Sequence, residues 1–186
     1  SFFQANIYRI PESGIFPLCF SVGHVGPIAT CIKELVSLFR VIAGPDGGDL
    51  FSLSVPLTVS SPELTRGASL KGWKVGVSED WLRFSKVESI VDNYRASIAA
   101  LEERGAVIVP FRIPAFEQMR LAHTGTILSE MASTMKYYER YRPQMMAMVD
   151  SSLNLGTTFD SVFYVQAQKT RTFAIAFFSD LFRDMH

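Results

Sequence analysis

Apolar positions divide the chain into segments of distinct period. Ile28, Ile32, Leu35, Val36, Phe39, Val41 and Ile42 recur at helical spacing, which predicts a helix of about four turns lying on a core. Pro27 suits the first helical position, where a missing N–H costs nothing. Gly44 suits the C-terminal cap and Pro45 blocks continuation, so Asp46-Gly47-Gly48-Asp49 reads as a tight turn. Residues 14–20 read as a short extended segment after a glycine turn. From Leu50 to Gly72 the chain is rich in Ser, Pro and Thr without a period, the pattern of a long surface connection.

The second half alternates more clearly. Lys71 to Val77 reads as a strand with Val75 and Val77 on one face. Ser85 with Glu88 three residues on forms the pattern of a capping box. Val87, Ile90, Val91, Tyr94, Ile98 and Leu101 then make one apolar stripe, with Glu102, Glu103 and Arg104 solvated. Gly105 ends that helix, and Ala106 to Phe111 reads as a buried strand. Strand, helix and strand with short joins predict a right-handed βαβ unit at about 73–111 with its strands parallel. Ala115 to about Tyr141 is helical in pattern, weakened at Gly125, with Glu130 inside it, and broken at Arg142-Pro143. A second helical piece covers Gln144 to Ser151, and Asn154-Leu155-Gly156 reads as a turn. Thr157 or Thr158 then caps a long last helix, with Phe159, Val162, Phe163, Gln166, Thr170, Phe173, Phe177 and Leu181 three or four apart.

Composition narrows the class. Eighteen basic residues balance eighteen acidic ones, so charge gives no reason to expect nucleic acid or an anionic membrane as a partner. No apolar run reaches the roughly 18 residues that suggest a bilayer span, and the start SFFQANIYRI lacks the order of a signal peptide. Cys19 and Cys31 are too few for a disulfide framework. Both read as small buried hydrophobes in a reducing compartment, which points to the cytoplasm. Fifteen Phe and 48% hydrophobic residues are a heavy apolar load for a neutral chain of 186 residues. That load favours a piece of a larger fold over a self-contained core.

The stretch around the first helix also carries an ordered motif. Ser21, His24, Gly26, Pro27, Ile28, Ala29, Ile32, Ala43, Gly44 and Asp46 follow in sequence, preceded by Tyr8-Arg9-Ile10-Pro11-Glu12-Ser13-Gly14-Ile15-Phe16-Pro17-Leu18. The string resembles the amidase signature family, with its run of Ser-x-Asp-His-x-Gly-Pro, an apolar helix and Ala-Gly-x-Asp. Lys71, Gly72, Gly76, Leu101, Gly105, Ala106, Val107, Val109 and Pro114 match a later part of the family pattern. The sequence departs from it at Gly23, Thr30 and Glu34, where the family has Asp, Arg and Asp. A family Asp and Arg at the first two positions would pair and hold the loop. The lead-in QANI also departs from the family's, which suggests a truncated start or an altered exon boundary.

The resemblance implies hydrolysis of a carboxamide C–N bond to acid plus amine or ammonia, without a metal or organic cofactor. The family's chemistry uses a nucleophilic Ser, a second Ser and a Lys, with the N–H groups of a Gly/Ser-rich loop stabilising the oxyanion. No such loop occurs here: Ser60-Ser61 and Ser151-Ser152 have no glycine around them. No residue is therefore assigned as catalytic, cofactor-binding or metal-ligating, and the three catalytic positions are expected before Ser1. His24 reads as a loop histidine that fixes the turn, in preference to a general base. His123 and His186 stand alone, and no spacing fits zinc or calcium. Ser133-Thr134-Met135-Lys136 has an S-x-x-K spacing without its companion motifs. Met145, Met146 and Met148 read as gap-filling core, and Tyr137, Tyr138 and Tyr141 beside Lys136, Arg140 and Arg142 as a helix end with snorkelling side chains.

The expected fold is α/β, a mixed, largely parallel sheet flanked by helices. Residues 1–186 would form a single partial amidase-signature domain, its middle to C-terminal part, with a small-molecule amide as substrate of the complete enzyme. The alternatives are a catalytically dead amidase-like binding or interaction module, and an unrelated α/β domain. Alone, the chain is expected to aggregate through unmatched apolar faces.

Overall fold

The computed structural model describes residues 9–16, 18–49, 52, 69–183 and 185. The expectations for Ser1 to Tyr8, Pro17, the Ser60-Ser61 pair, most of the 50–72 connection and His186 lie outside the described residues. In chain order the elements are α1 (Ile32–Ile42), β1 (Lys74–Val77), a 3₁₀ segment (Glu79–Phe84) and α2 (Glu88–Glu103). There follow β2 (Val107–Pro110), α3 (Phe116–Met135), a second 3₁₀ segment (Lys136–Gln144), α4 (Ala147–Thr158) and α5 (Ser161–Arg183). The protein is mixed α/β and mostly helical, with a small parallel sheet. The chain forms two compact units, Ser1–Leu64 with Ile127–Asp160, and Thr65–Thr126 with Ser161–His186.

In the first unit, α1 is shorter than its sequence pattern. It starts at Ile32 with Cys31 as N-cap, four residues beyond Ile28, and Pro27 is buried in the loop before it. Only Leu35 of this helix is buried; Val41 is 82% exposed, and Ile28, Ile32 and Leu38 are exposed too. The apolar stripe is thus real but mostly uncovered. Ala43 caps the helix in extended geometry and Gly44 turns the chain with φ of 138°, its N–H donating to the Arg9 carbonyl at 3.1 Å.

The core of this unit is built by the C-terminal part of α3 and by α4. Met131, Met135 and Leu153 are buried together, with Leu128, Tyr138, Met145 and Val149 packed against them. Helix α4 runs through Asn154-Leu155-Gly156, where the sequence predicts a turn. A Cβ at Gly156 would lie 2.2 Å from the Leu128 carbonyl oxygen and 3.0 Å from the Ala132 Cβ. The glycine is there for close helix approach, not for a bend. Thr157 and Thr158 accordingly end α4 and cap nothing beyond it; their hydroxyls donate to the carbonyls of Asn154 and Leu155, both at 2.7 Å. Arg142 ties the second 3₁₀ segment to α4, with Nε 2.6 Å from Asp150 Oδ1 and a further bond from Nη2 to Asn154. Met146 and Met148 are exposed, so of the three methionines only Met145 fills the core.

In the second unit the βαβ unit is present as the pattern predicts. β1 and β2 are parallel, with Lys74 opposite Val107, Val75 opposite Ile108, Gly76 opposite Val109 and Val77 opposite Pro110. These two strands are the whole sheet among the described residues. Val91, Tyr94, Ile98 and Leu101 of α2 are half-buried, whereas Val87 and Ile90 are exposed. The helix begins later than the capping-box pattern predicts. Val87 is its N-cap, without a side-chain cap bond, because the 3₁₀ segment extends the chain to Phe84 and uses Ser85 as its own C-cap. Gly105, with φ of 93°, makes the turn into β2 and backs onto Lys71, whose backbone N is 3.3 Å from where a Cβ would be. Gly125, which weakens the helical pattern, also has a packing reason: a Cβ there would meet the Phe163 ring at 2.4 Å. Beside it, buried Thr126 donates to the Ala122 carbonyl at 2.8 Å and accepts from Gln168 Nε2 at 3.0 Å, which ties α3 to α5.

Candidate functional site

The motif stretch from Arg9 to Asp49 lies within the first unit, and polar side chains fix its backbone. The central contact is Ser21 on Glu130. The Ser21 N–H donates to Glu130 Oε2 at 2.9 Å, and the Ser21 hydroxyl donates to Oε1 of the same carboxylate. Glu130 is only 2% exposed. A buried carboxylate is costly unless charge-assisted bonds satisfy it, so Ser21 and Glu130 lock the loop onto α3. Both donors point at the carboxylate, which makes the pair a tether; the serine is not aimed outward as a nucleophile.

A second carboxylate cluster lies at the start of the stretch. The Glu12 N–H donates to Asp49 Oδ2 at 3.0 Å. Burial, then the neighbouring Asp49 charge, pushes the Glu12 carboxyl above its ordinary value, partly offset by His24. Gly23 is packed against this group. A Cβ at Gly23 would fall 2.9 Å from the Cys19 carbonyl oxygen and 3.1 Å from Glu12 Oε1. The departure from Asp at Gly23 is therefore built into the local structure: a side chain there would clash with backbone, and its charge would sit against Glu12. Thr30, the second departure, donates its hydroxyl to Glu34, the third. Two of the three altered positions thus meet each other across the start of α1, in place of the Asp–Arg pairing expected of the family pattern.

The turn after α1 is as tight as its sequence predicts. Asp46 and Asp49 form an isolated antiparallel bridge, and the Asp49 N–H donates to the Asp46 carbonyl at 3.0 Å. Ser52, fully buried, accepts from the Asp46 N–H at 2.8 Å and donates to the Asp49 carbonyl at 2.7 Å. Hydrogen bonding from Ser13, then from the Gly48 N–H, holds the Asp46 carboxyl below its ordinary value. At Gly48 a Cβ would come 2.8 Å from Ser13 Oγ, so both ends of the motif stretch meet here.

The remaining candidates are placed apart from one another. His24 is exposed, with Nδ1 2.8 Å from the Val22 carbonyl oxygen, the geometry of a turn-fixing residue. Cys19 is buried and burial pushes its thiol upward, but Cys31 is exposed, against the expectation of two buried thiols. Cys31 occupies the N-cap of a helix that starts later than its apolar pattern, which leaves it at the surface. Ser152 donates to the Met148 carbonyl at 2.9 Å along α4. Ser133 lies in α3, while Lys136 opens the 3₁₀ segment. Arg140 lies over the Tyr141 ring at 4.6 Å, and Tyr137 is exposed. Among the described residues no three His, Cys, Asp or Glu side chains gather as metal ligands, and no helix is long and apolar enough to cross a membrane. Sequence reasoning missed the role of Glu130. Its signal was a single carboxylate set among Leu128, Met131 and Ala132.

A curated amidase of Pseudomonas putida is 31% identical over 171 residues, covering 91% of this chain and 36% of the relative. A glutamyl-tRNA(Gln) amidotransferase subunit from Methanospirillum hungatei is 28% identical over 137 residues, covering 73% of this chain and 31% of its own length. The chain thus spans about a third of the length of these curated relatives. Among solved structures, a vestigial protein complex bearing on the origins of an s-triazine catabolic enzyme matches with a TM-score of 0.81 at 22% identity, over 98% of this chain and 39% of that one. A Kluyveromyces lactis allophanate hydrolase variant matches with a TM-score of 0.78 at 18% identity, over 99% of this chain and 30% of that one. At these identities the structural matches bear on fold alone. The Amidase family model matches residues 3–179, so the chain belongs to the amidase family, the one marked by the amidase signature.

Proposed function

We propose that this chain is the middle to C-terminal part of one amidase-signature domain that hydrolyses a carboxamide C–N bond to acid plus amine or ammonia. The observation that carries the reading is the family match across residues 3–179. In this reading the Ser-Ser-Lys machinery lies outside the 186 residues, which contain no Gly/Ser-rich oxyanion loop. The chain's own contribution is a scaffold: the Ser21–Glu130 tether and the Glu12–Asp49 contact fix the motif loop. The substrate is a small-molecule amide, no cofactor is required, and the compartment is the cytoplasm. The exposure of Ile28, Ile32, Val41 and Phe182 fits apolar faces that meet further protein.

The test is ammonia release from a simple carboxamide such as benzamide. The 186 residues alone should release none. The same chain extended by its own upstream coding sequence should release ammonia, and Ser→Ala in the upstream Gly/Ser-rich loop should abolish it. Hydrolysis by the 186 residues alone would place the machinery inside them and overturn the assignment. An inactive extended chain would move the balance to an amidase-like binding module.

A further inference from the structure

The C-terminal ends of β1 and β2 open onto a cleft of about 890 Å³ that lies wholly within the second unit. In open parallel sheets this is the edge at which ligands bind, because the chain leaves the strands there and loops diverge. The volume is within the range of small-molecule sites. What distinguishes this cleft is the source and sign of its lining. Arg83 comes from the 3₁₀ segment after β1, Arg95 from the crossover helix α2, and Arg112 from the loop after β2.

The walls are fixed by contacts that do not use the arginines. Asp80 Oδ2 accepts the Ile113 N–H at 2.8 Å and the Ser78 hydroxyl at 3.0 Å, which joins the segments leaving the two strands. The Tyr94 hydroxyl donates to the Ser78 carbonyl at 3.0 Å and fastens α2 to the same point. Asp80 is thereby committed. Arg83 stands 3.8 Å from its other oxygen with a side chain 61% exposed, a weak surface contact. Among the described residues neither Arg95 nor Arg112 makes an ion pair, although the Arg112 charge is close enough to lower the Asp80 carboxyl. Glu79 and Asp80 also line the cleft, so three guanidinium groups outnumber two carboxylates, one of them already committed, and an anion seated between the arginines would meet a net positive charge. Their planar donor forks match carboxylate and phosphate oxygens in pairs. Val77 and Phe111 supply an apolar surface beside them.

We propose that this cleft binds a small organic anion, a phosphate monoester or carboxylate with an apolar body, held by Arg95 and Arg112 with Arg83 at the rim. The site uses no residue of the motif stretch and does not depend on the amide reading. Its test is titration of the full chain with phenyl phosphate and, separately, benzoate at low salt, followed by amide NMR shifts and calorimetry. Saturable binding with Kd below about 1 mM is expected for at least one probe, with shifts concentrated at Ser78 to Arg83 and Phe111 to Ile113. Arg95→Gln and Arg112→Gln should each weaken binding about tenfold. Arg112→Lys, which keeps the charge but not the paired donors, should bind more weakly than wild type and more tightly than Arg112→Gln, and Arg104→Gln, in the same unit outside the cleft, should leave binding unchanged. Preference for phenyl phosphate over benzoate would assign phosphate as the head group, and the reverse would assign carboxylate. Absence of saturation with both probes, or equal loss in Arg104→Gln, would overturn the proposal.

Discussion

The motif stretch from Arg9 to Asp49 and the βαβ stretch from Leu70 to Pro110 differ in which kind of bond predominates, although each contains both kinds. In the first, side chains hold backbone: Ser21 reaches Glu130, Glu12 reaches Asp49, and Ser52 brackets Asp46 and Asp49. In the second, backbone holds backbone through a parallel ladder, closed by bonds such as Val107 N–H to the Trp73 carbonyl at 2.8 Å. A ladder tolerates many side chains, since its donors and acceptors are the same for every residue except proline. Side-chain anchoring tolerates few, because each bond depends on one residue's identity. That contrast is why the first stretch carries a recognisable string and the second a recognisable period.

The contrast breaks most severely where the anchor's own platform is disturbed. Gly156→Val would drive a side chain into the Leu128 carbonyl, which is backbone and cannot swing aside. The expected loss is about 3 kcal/mol, at the upper end of overpacking costs. Thermal melting reads the loss, and hydrogen exchange reads where it falls. Protection of the Ser21 amide should drop, while that of Val107 should persist if the ladder stands without the anchor. A melting temperature unchanged by the substitution would contradict the close α3–α4 approach.

Removing the anchor itself should cost less. Glu130→Ala leaves the Ser21 N–H and hydroxyl without their acceptor in a partly buried place, at an expected cost of about 1–3 kcal/mol. Glu130→Gln keeps an acceptor oxygen and should lose less than Glu130→Ala. The comparison sharpens if Ser21→Ala, made in the Glu130→Ala background, adds little: the two residues would then form one coupled unit in a double-mutant cycle.

What was legible in the sequence follows the same division. The period of Val75 and Val77, the α2 stripe and Gly105 led directly to two parallel strands and their crossover, since burial of one face imposes the period. The motif string led to the family through the order from Ser21 to Asp46, but not to the geometry that gives those residues their place. Glu130 lies 109 residues from Ser21, and no local pattern encodes a contact across that distance. Helix limits failed where tertiary packing overrode local signals. Gly156 reads as a turn because glycine is a poor helix former, yet the approach of α4 to Leu128 requires it within a helix. Pro27 reads as a helix start, yet it is buried in the loop while α1 waits until Ile32.

The smallest effects separate the two regions by sign. Glu12, in the anchored stretch, has a carboxyl raised above its ordinary 4.5, first by burial and then by Asp49. The folded state holds that proton more tightly than the unfolded chain does. Its contribution is therefore complete below the ordinary value and is lost as pH rises through the raised one. Asp80, beside the ladder, has a carboxyl lowered below 3.8, chiefly by the Ile113 N–H, with burial opposing this and Ser78, Arg112 and Arg83 adding to it. Its contribution is complete above the ordinary value and is lost as pH falls through the lowered one. Melting temperatures of wild type, Glu12→Gln and Asp80→Asn between about pH 3 and about pH 7 test both. The Glu12→Gln variant should gain on wild type as pH rises, because a neutral amide replaces a carboxylate the fold disfavours. The Asp80→Asn penalty should instead shrink toward acid, where the wild-type carboxylate also loses its charge. Parallel pH profiles for the two variants would mean that the two carboxylates sit in like environments, and the contrast between side-chain and backbone anchoring would lose its electrostatic counterpart.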